Sequence, residues 1–158
     1  MDMKIEVFTA QKLIELTISG KLNPDPIGQR PSVTKGHSKS IKIVKAMIAC
    51  DDTNIVPVCS MYLTNVTPTG VLNDNVGNTN PVYATEVDNY QGRLDWAAMQ
   101  DLGGMSESVL TSADAKLPLH FVTASGDDAL YGVLVIRSAA HTPTSGAKIT
   151  VTLTIEPD

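Results

Sequence analysis

Ala147-Lys148-Ile149-Thr150-Val151-Thr152-Leu153-Thr154-Ile155, near the end of the chain, alternates apolar and polar residues almost without a break. In an extended chain Ala147, Ile149, Val151, Leu153 and Ile155 share one face, and Lys148, Thr150, Thr152 and Thr154 share the other. Such a segment buries one face and wets the other. Its β-branched residues suit a pleated surface and add nothing to a helix. The same period-two pattern recurs upstream, as in Ile14, Leu16 and Ile18. Strands are therefore expected over residues 3–8, 13–18, 40–50, 56–66, 82–87, 117–123, 129–137 and 147–155.

The breaks between these segments carry turn chemistry: Asn23-Pro24-Asp25-Pro26, Thr67-Pro68-Thr69-Gly70, Ser125-Gly126-Asp127-Asp128 and Thr142-Pro143-Thr144-Ser145-Gly146. Asp95-Trp96-Ala97-Ala98-Met99-Gln100-Asp101-Leu102, followed by Gly103-Gly104, predicts one short helix, with Asp95 as its N-cap and the glycines as its stop. Neither an internal repeat nor a domain boundary interrupts the 158 residues, a one-domain length. The fold class is all-β: a single antiparallel β-sandwich over residues 1–158, of jelly-roll or Greek-key topology, with an immunoglobulin-like arrangement second.

Composition fits a loop-rich β fold, with 42% hydrophobic and only 18% charged residues. No apolar run approaches the ~18 residues that would span a bilayer. Met1-Asp2-Met3-Lys4-Ile5-Glu6-Val7 places acids where a secretory leader needs a basic start and an apolar stretch. A soluble protein without an export signal is expected. Cys50 and Cys59 flank the turn-like Asp51-Asp52-Thr53-Asn54, a spacing that allows them to lie opposite each other on paired strands, and they are expected as reduced, partly buried thiols. A disulfide is the second reading, and two thiols alone fall short of the four ligands zinc normally takes.

Residues 20–40 differ from the rest, with few apolar positions and three prolines, and read as an extended arm or long surface loop. Charge separates at the same place. Lys21, Arg30, Lys35, Lys39, Lys42 and Lys45 stand against the single acid Asp25, whereas from Ala46 onward four basic residues face thirteen acidic ones, for a chain net charge of −5. A proline-stiffened cationic segment on an acidic body suits docking onto an acidic partner or a neighbouring copy, with Lys21, Arg30, Lys35, Lys39 and Lys42 as the contacts. The competing reading is a solvated loop. Nucleic acid is disfavoured, because no aromatic interleaves these cations and the whole chain is acidic.

Catalytic chemistry finds little support. Asp51-Asp52, Asp127-Asp128 and Asn73-Asp74-Asn75-Val76-Gly77-Asn78 lack the spacing of a calcium loop and its closing glutamate. His37, His120 and His141 are scattered, and neither a Gly-x-Ser-x-Gly elbow nor a phosphate-cradling glycine loop is present. The expectation is a non-enzyme with no cofactor and no metal. Tyr83, Tyr90 and Trp96 are the one aromatic cluster and form a candidate platform for stacking on a glycan or host surface; the plainer reading gives Trp96 to the core end.

Taken together, the strand at residues 4–8, the arm at 23–40, the Thr/Asn/Gly-rich loops at 65–81 and the closing strands at 129–136 and 147–155 resemble the jelly-roll decoration, or cement, proteins on the capsids of tailed bacteriophages. That resemblance, of style over most of the chain, implies a homotrimer on the capsid exterior of the virion, made in the host cytoplasm. It would clamp neighbouring subunits of the major capsid protein. A head, tail or fibre component, or a glycan-binding module, is the alternative.

Overall fold

A computed structural model of the chain describes residues 2–5, 11–17, 40–52, 56–68, 84–114, 116–124, 129–137 and 149–157. Within them lie β1 (Asp2–Ile5), β2 (Gln11–Thr17), β3 (Ser40–Cys50), β4 (Cys59–Thr64), a 3₁₀ helix (Ala84–Asn89), β5 (Tyr90–Asp95), β6 (Gln100–Asp101), β7 (Ser106–Leu110), β8 (Leu119–Val122), β9 (Ala129–Ile136) and β10 (Ile149–Pro157). The protein is all-β, built as two antiparallel sheets. One runs β1-β10-β3-β7-β6, with β8 also paired to β3; the other runs β2-β9-β4-β5. Pairing is nested along the chain: β1 with β10, β2 with β9, β3 with β7 and β8, and β4 with β5.

The core forms between the sheets because the alternation is faithful on both. Ile149, Val151 and Leu153 of β10 lie beside Cys50, Ile48 and Ala46 of β3, and all six are buried. Cys59, Met61 and Leu63 of β4, with Leu130 and Leu134 of β9, face them from the other sheet and complete one apolar cluster. In β3 the buried positions are Ile41 and Ile43, then Ala46, Ile48 and Cys50, so the phase shifts by one residue. The register with β10 slips at the same place, where Thr154 pairs with Lys45 but Ile155 pairs with Ile43. A one-residue bulge at Val44 thus returns the apolar face to the core, where an uncorrected slip would turn it to solvent. Also at this point the neighbour of β3 changes from β8, beside residues 40–43, to β7, beside residues 46–50.

A second bulge laces the two sheets together. Gly92 pairs with Leu63 but Tyr90 pairs with Thr64, which leaves Gln91 as the extra residue of β5. Gly92 adopts φ +130°, a conformation few other residues accept. Gln91 then accepts the Val122 backbone N–H through Oε1 at 2.9 Å, while Asn65 Nδ2 donates to the Val122 carbonyl at 3.1 Å. Together they satisfy the backbone of β8 at the sheet corner, where an open edge would otherwise be exposed.

Two expectations are overturned here. Residues 95–102 form no helix: Asp95 ends β5, residues 96–99 cross to the other sheet, and Gln100–Asp101 make β6. The crossing is held by backbone bonds from Trp96 N to Cys59 O and from Met99 N to Pro57 O. Its Trp96 indole is 2% exposed and donates Nε1–H to Ala46 O at 3.2 Å, where β3 passes from one partner to the other. Burial of the one tryptophan outweighs the weak helix propensity of so short a segment. Likewise residues 84–87, expected in a strand, lie in the 3₁₀ helix, whose Glu86 is buried. Strands 90–95, 100–101 and 106–110 carry too little apolar alternation to be read in advance.

Replacing Trp96 by alanine is expected to cost about 3–5 kcal/mol of stability, the loss typical of a buried Trp, as read from chemical-denaturation midpoints. A change within ~0.5 kcal/mol, typical of surface positions, would contradict its core role. Gly132 meets a different limit: a Cβ there would lie 2.7 Å from Met61 Cε. Gly132→Val is expected to overpack the β4–β9 contact by about 1–3 kcal/mol, measured in the same way.

Candidate functional site

Of the six basic residues that suggested an arm, Lys42 and Lys45 are described; Lys21, Arg30, Lys35 and Lys39 lie outside the described residues. Lys42 belongs to β3 and reaches Glu156 of β10 at 3.7 Å. It is therefore a residue of the strand expected over 40–50, with a carboxylate of its own sheet beside it. Register explains the pair, since Lys42 lies directly beside Glu156 on the outer face of the sheet.

The expected aromatic platform does not form as proposed. Trp96 is inside, Tyr83 lies outside the described residues, and Tyr90 is left at the surface with 36% of its area exposed. Its partner is Tyr62 of β4, at a ring-centroid distance of 6.5 Å and a 38° tilt. The two tyrosines come together because Thr64 pairs with Tyr90 across the β4–β5 ladder, which sets Tyr62 diagonally across from it. No alternation or spacing in the sequence signals this pairing, because Tyr62 sits in a segment whose register with residues 90–95 exists only in the folded sheet.

Cations gather around the same ring. Arg93, directly opposite Tyr62, places its guanidinium carbon 5.6 Å from the ring centroid, and Nη1 donates to the phenol oxygen at 3.4 Å. Arg137, just past β9, lies at 5.2 Å from the centroid of that ring. Both distances fall within cation–π range. The Arg137 backbone N–H is anchored to Val58 O at 2.7 Å, so the residue is fixed at the end of the sandwich where β4 begins.

Asp95 organises the remainder. Its Oδ1 accepts from Ser60 Oγ at 2.7 Å and from Arg93 Nε at 2.7 Å, and its Oδ2 is met by the Lys116 ammonium. Burial alone would push the Asp95 carboxyl up, but the hydrogen bonds from Lys116, Ser60 and Arg93, with the Arg93 charge, outweigh it and hold the group below the usual carboxylate range. Burial is also the main reason the Tyr90 phenol is pushed up, opposed by Arg93 and assisted by Asp95. Among the described residues, Arg137 has no carboxylate within ion-pairing distance.

Cys50 and Cys59 are both free and buried. The paired-strand placement that the sequence left open is not adopted: the strands bearing them belong to opposite sheets, so the residues face the core from its two sides. Desolvation pushes the Cys59 thiol up to about 12, with Cys50 adding to the shift, and burial raises Cys50 as well. Neither supplies a thiolate nucleophile near neutral pH. Among the described residues no group of three His, Cys, Asp or Glu side chains is placed to hold a metal ion. No protein-family model matches the chain, and neither a curated protein nor a solved structure matches it.

Because the folded Asp95 carboxyl titrates below its unfolded range, the stability it confers is present above the ordinary carboxylate pKa of about 4. That stability is lost as pH falls through the folded value. Asp95→Asn is expected to destabilise the protein at pH 7 by about 1.5–3 kcal/mol, the scale of hydrogen bonds to a charged group. The gap to the parent protein should close toward pH 2, as followed by denaturation midpoints across that range. A gap that is constant with pH would rule out the charged network as its source.

Proposed function

We infer that this chain is a non-enzymatic structural protein of a virus particle, a capsid decoration or cement protein that binds and stabilises the shell as an oligomer. The observation that carries the reading is the nested pairing of β1 with β10, β2 with β9, β3 with β7 and β8, and β4 with β5. One antiparallel ribbon folded over on itself yields that order when β7 and β8 count as a single interrupted strand. That order supports a jelly-roll reading of the sandwich, an arrangement that recurs in viral capsid and lectin domains. β6 is then an addition at the edge.

Charge supports the same reading. The segment from Lys21 to Lys39 carries four cations and one acid, while the sequence from Ala46 onward is strongly acidic. A cationic arm of this kind reaches an acidic neighbour, either another copy or the major capsid protein, and repeated identical contacts turn weak binding into avidity. The reading places the protein as a homotrimer on the capsid exterior, with no cofactor and no membrane or nucleic-acid partner. A lectin-like module that binds glycan or a host surface is the second reading, favoured by the half-exposed Tyr62–Tyr90 pair.

Deleting residues 23–39 tests the first reading. The truncated protein is expected to keep its β-type circular dichroism but to elute as a monomer in size-exclusion chromatography with light scattering. The full chain should give a trimer that weakens toward 1 M salt, where screening shortens to ~3 Å. Full-strength assembly of the truncated protein would sink the arm's role. A full chain that is monomeric at every salt would move the weight to the lectin-like module.

A further inference from the structure

Arg93, Lys116 and Arg137 gather around one carboxylate, Asp95, and two tyrosines on a body that is otherwise acidic. From Ser40 onward, the described residues outside this patch carry two lysines, Lys42 and Lys45, against eight carboxylates. The patch is therefore a local island of positive charge. Its composition, tyrosine and arginine, is also the one that dominates the energetic centres of protein interfaces. The geometry is preset: Asp95 and Tyr62 both hold Arg93, and Tyr62 seats Arg137, so little side-chain freedom remains to be lost on binding. Arg137 is exposed, and its charge is not matched by any described carboxylate.

A complementary surface lies at the same end of the molecule on the other sheet. β3 ends at Cys50, and Asp51 follows it; Cys50 pairs with Ser106, which pairs with Asp101, next to Glu107. Asp51 and Asp101 are exposed and Glu107 is half-buried. Arg137 N bonded to Val58 O continues the β4–β9 ladder at this end, and Met99 N bonded to Pro57 O brings the segment leading to β6 against the start of β4. One end of the sandwich thus presents cations on its four-stranded side and acids on its six-stranded side.

We propose that the Tyr62, Tyr90, Arg93, Lys116 and Arg137 patch is a docking site for a second copy of this chain, which inserts its Asp51, Asp101 and Glu107 corner. Unlike surfaces on opposite sides of each copy make the contact heterologous, and a heterologous contact repeated by a rotation closes a ring. The contact deepens the oligomeric reading given above and rests on it. It adds a site distinct from the basic segment at 21–39, with Arg137, unmatched by any described carboxylate, satisfied across the interface.

The test uses the full chain at low salt, with mass followed by light scattering and folding by circular dichroism. Arg137→Glu is expected to weaken assembly at least tenfold with the fold intact, and Asp101→Lys with Glu107→Lys is expected to do the same. Combining all three substitutions in one chain restores complementarity with the signs exchanged and is expected to recover assembly. Arg137→Gln, which removes charge without repulsion, should fall between. Assembly of Arg137→Glu at wild-type strength, or failure of the combined variant to recover, would overturn this contact and leave the arm-based reading in place. A wild-type chain that is monomeric at every salt would overturn both.

Discussion

Ile41, Ile43, Ala46, Ile48 and Cys50 all face one core only because β3 shifts phase by a single residue at Val44. The rest of the molecule depends on that shift. Strand β3 is the longest in the described structure and has β10 along one side, with β8 and then β7 along the other. A strand of strict period two over eleven residues would have sent either its first or its second half to solvent, and with it the facing rows of β10, β8 and β7. The bulge also marks the change of neighbour, and there Trp96 hydrogen-bonds the Ala46 carbonyl. A backbone acceptor in the deep interior is thereby satisfied by a side chain from the crossing segment.

The crossing from β5 to β6 explains the chemistry at this end of the sandwich. With Trp96 pulled inward and Trp96 N bonded to Cys59 O, Asp95 is held beside Ser60 and opens toward Arg93 and Lys116. Arg137 is set by its backbone bond to Val58 and comes to rest on Tyr62. An inward tryptophan and an outward arginine–tyrosine cluster are therefore two sides of one packing arrangement. The cations cost little to bring together because Asp95 and the tyrosine ring offset their repulsion.

The candidate site was only partly legible beforehand. The charge of Lys42 is plain in the sequence, but its strand register, which sets it beside Glu156, depends on which strand β10 meets. Closeness in sequence groups Tyr90 with Trp96, whereas proximity in a sheet follows pairing and sets Tyr90 beside Tyr62. Tyr62, Arg93 and Arg137 are separated by long stretches of chain and share no motif. Tyr62 and Arg93 meet as direct cross-strand neighbours, and Arg137 joins them because β9 lies on the other side of β4.

By itself the sequence determined the class of fold, the positions of its most apolar strands and the segregation of charge. Burial of alternate side chains is a local, period-two property, so residues 40–50 and 149–155 could be read from their own composition. The tertiary structure decided the strand order, the two bulges, the fate of residues 95–102 and the union of Tyr62, Arg93, Asp95, Lys116 and Arg137. Those outcomes rest on long-range pairing and on which side chains the closed core could admit. Trp96 shows the physical reason most directly: a few residues of weak helix preference gave way to the larger gain from burying an indole between two sheets.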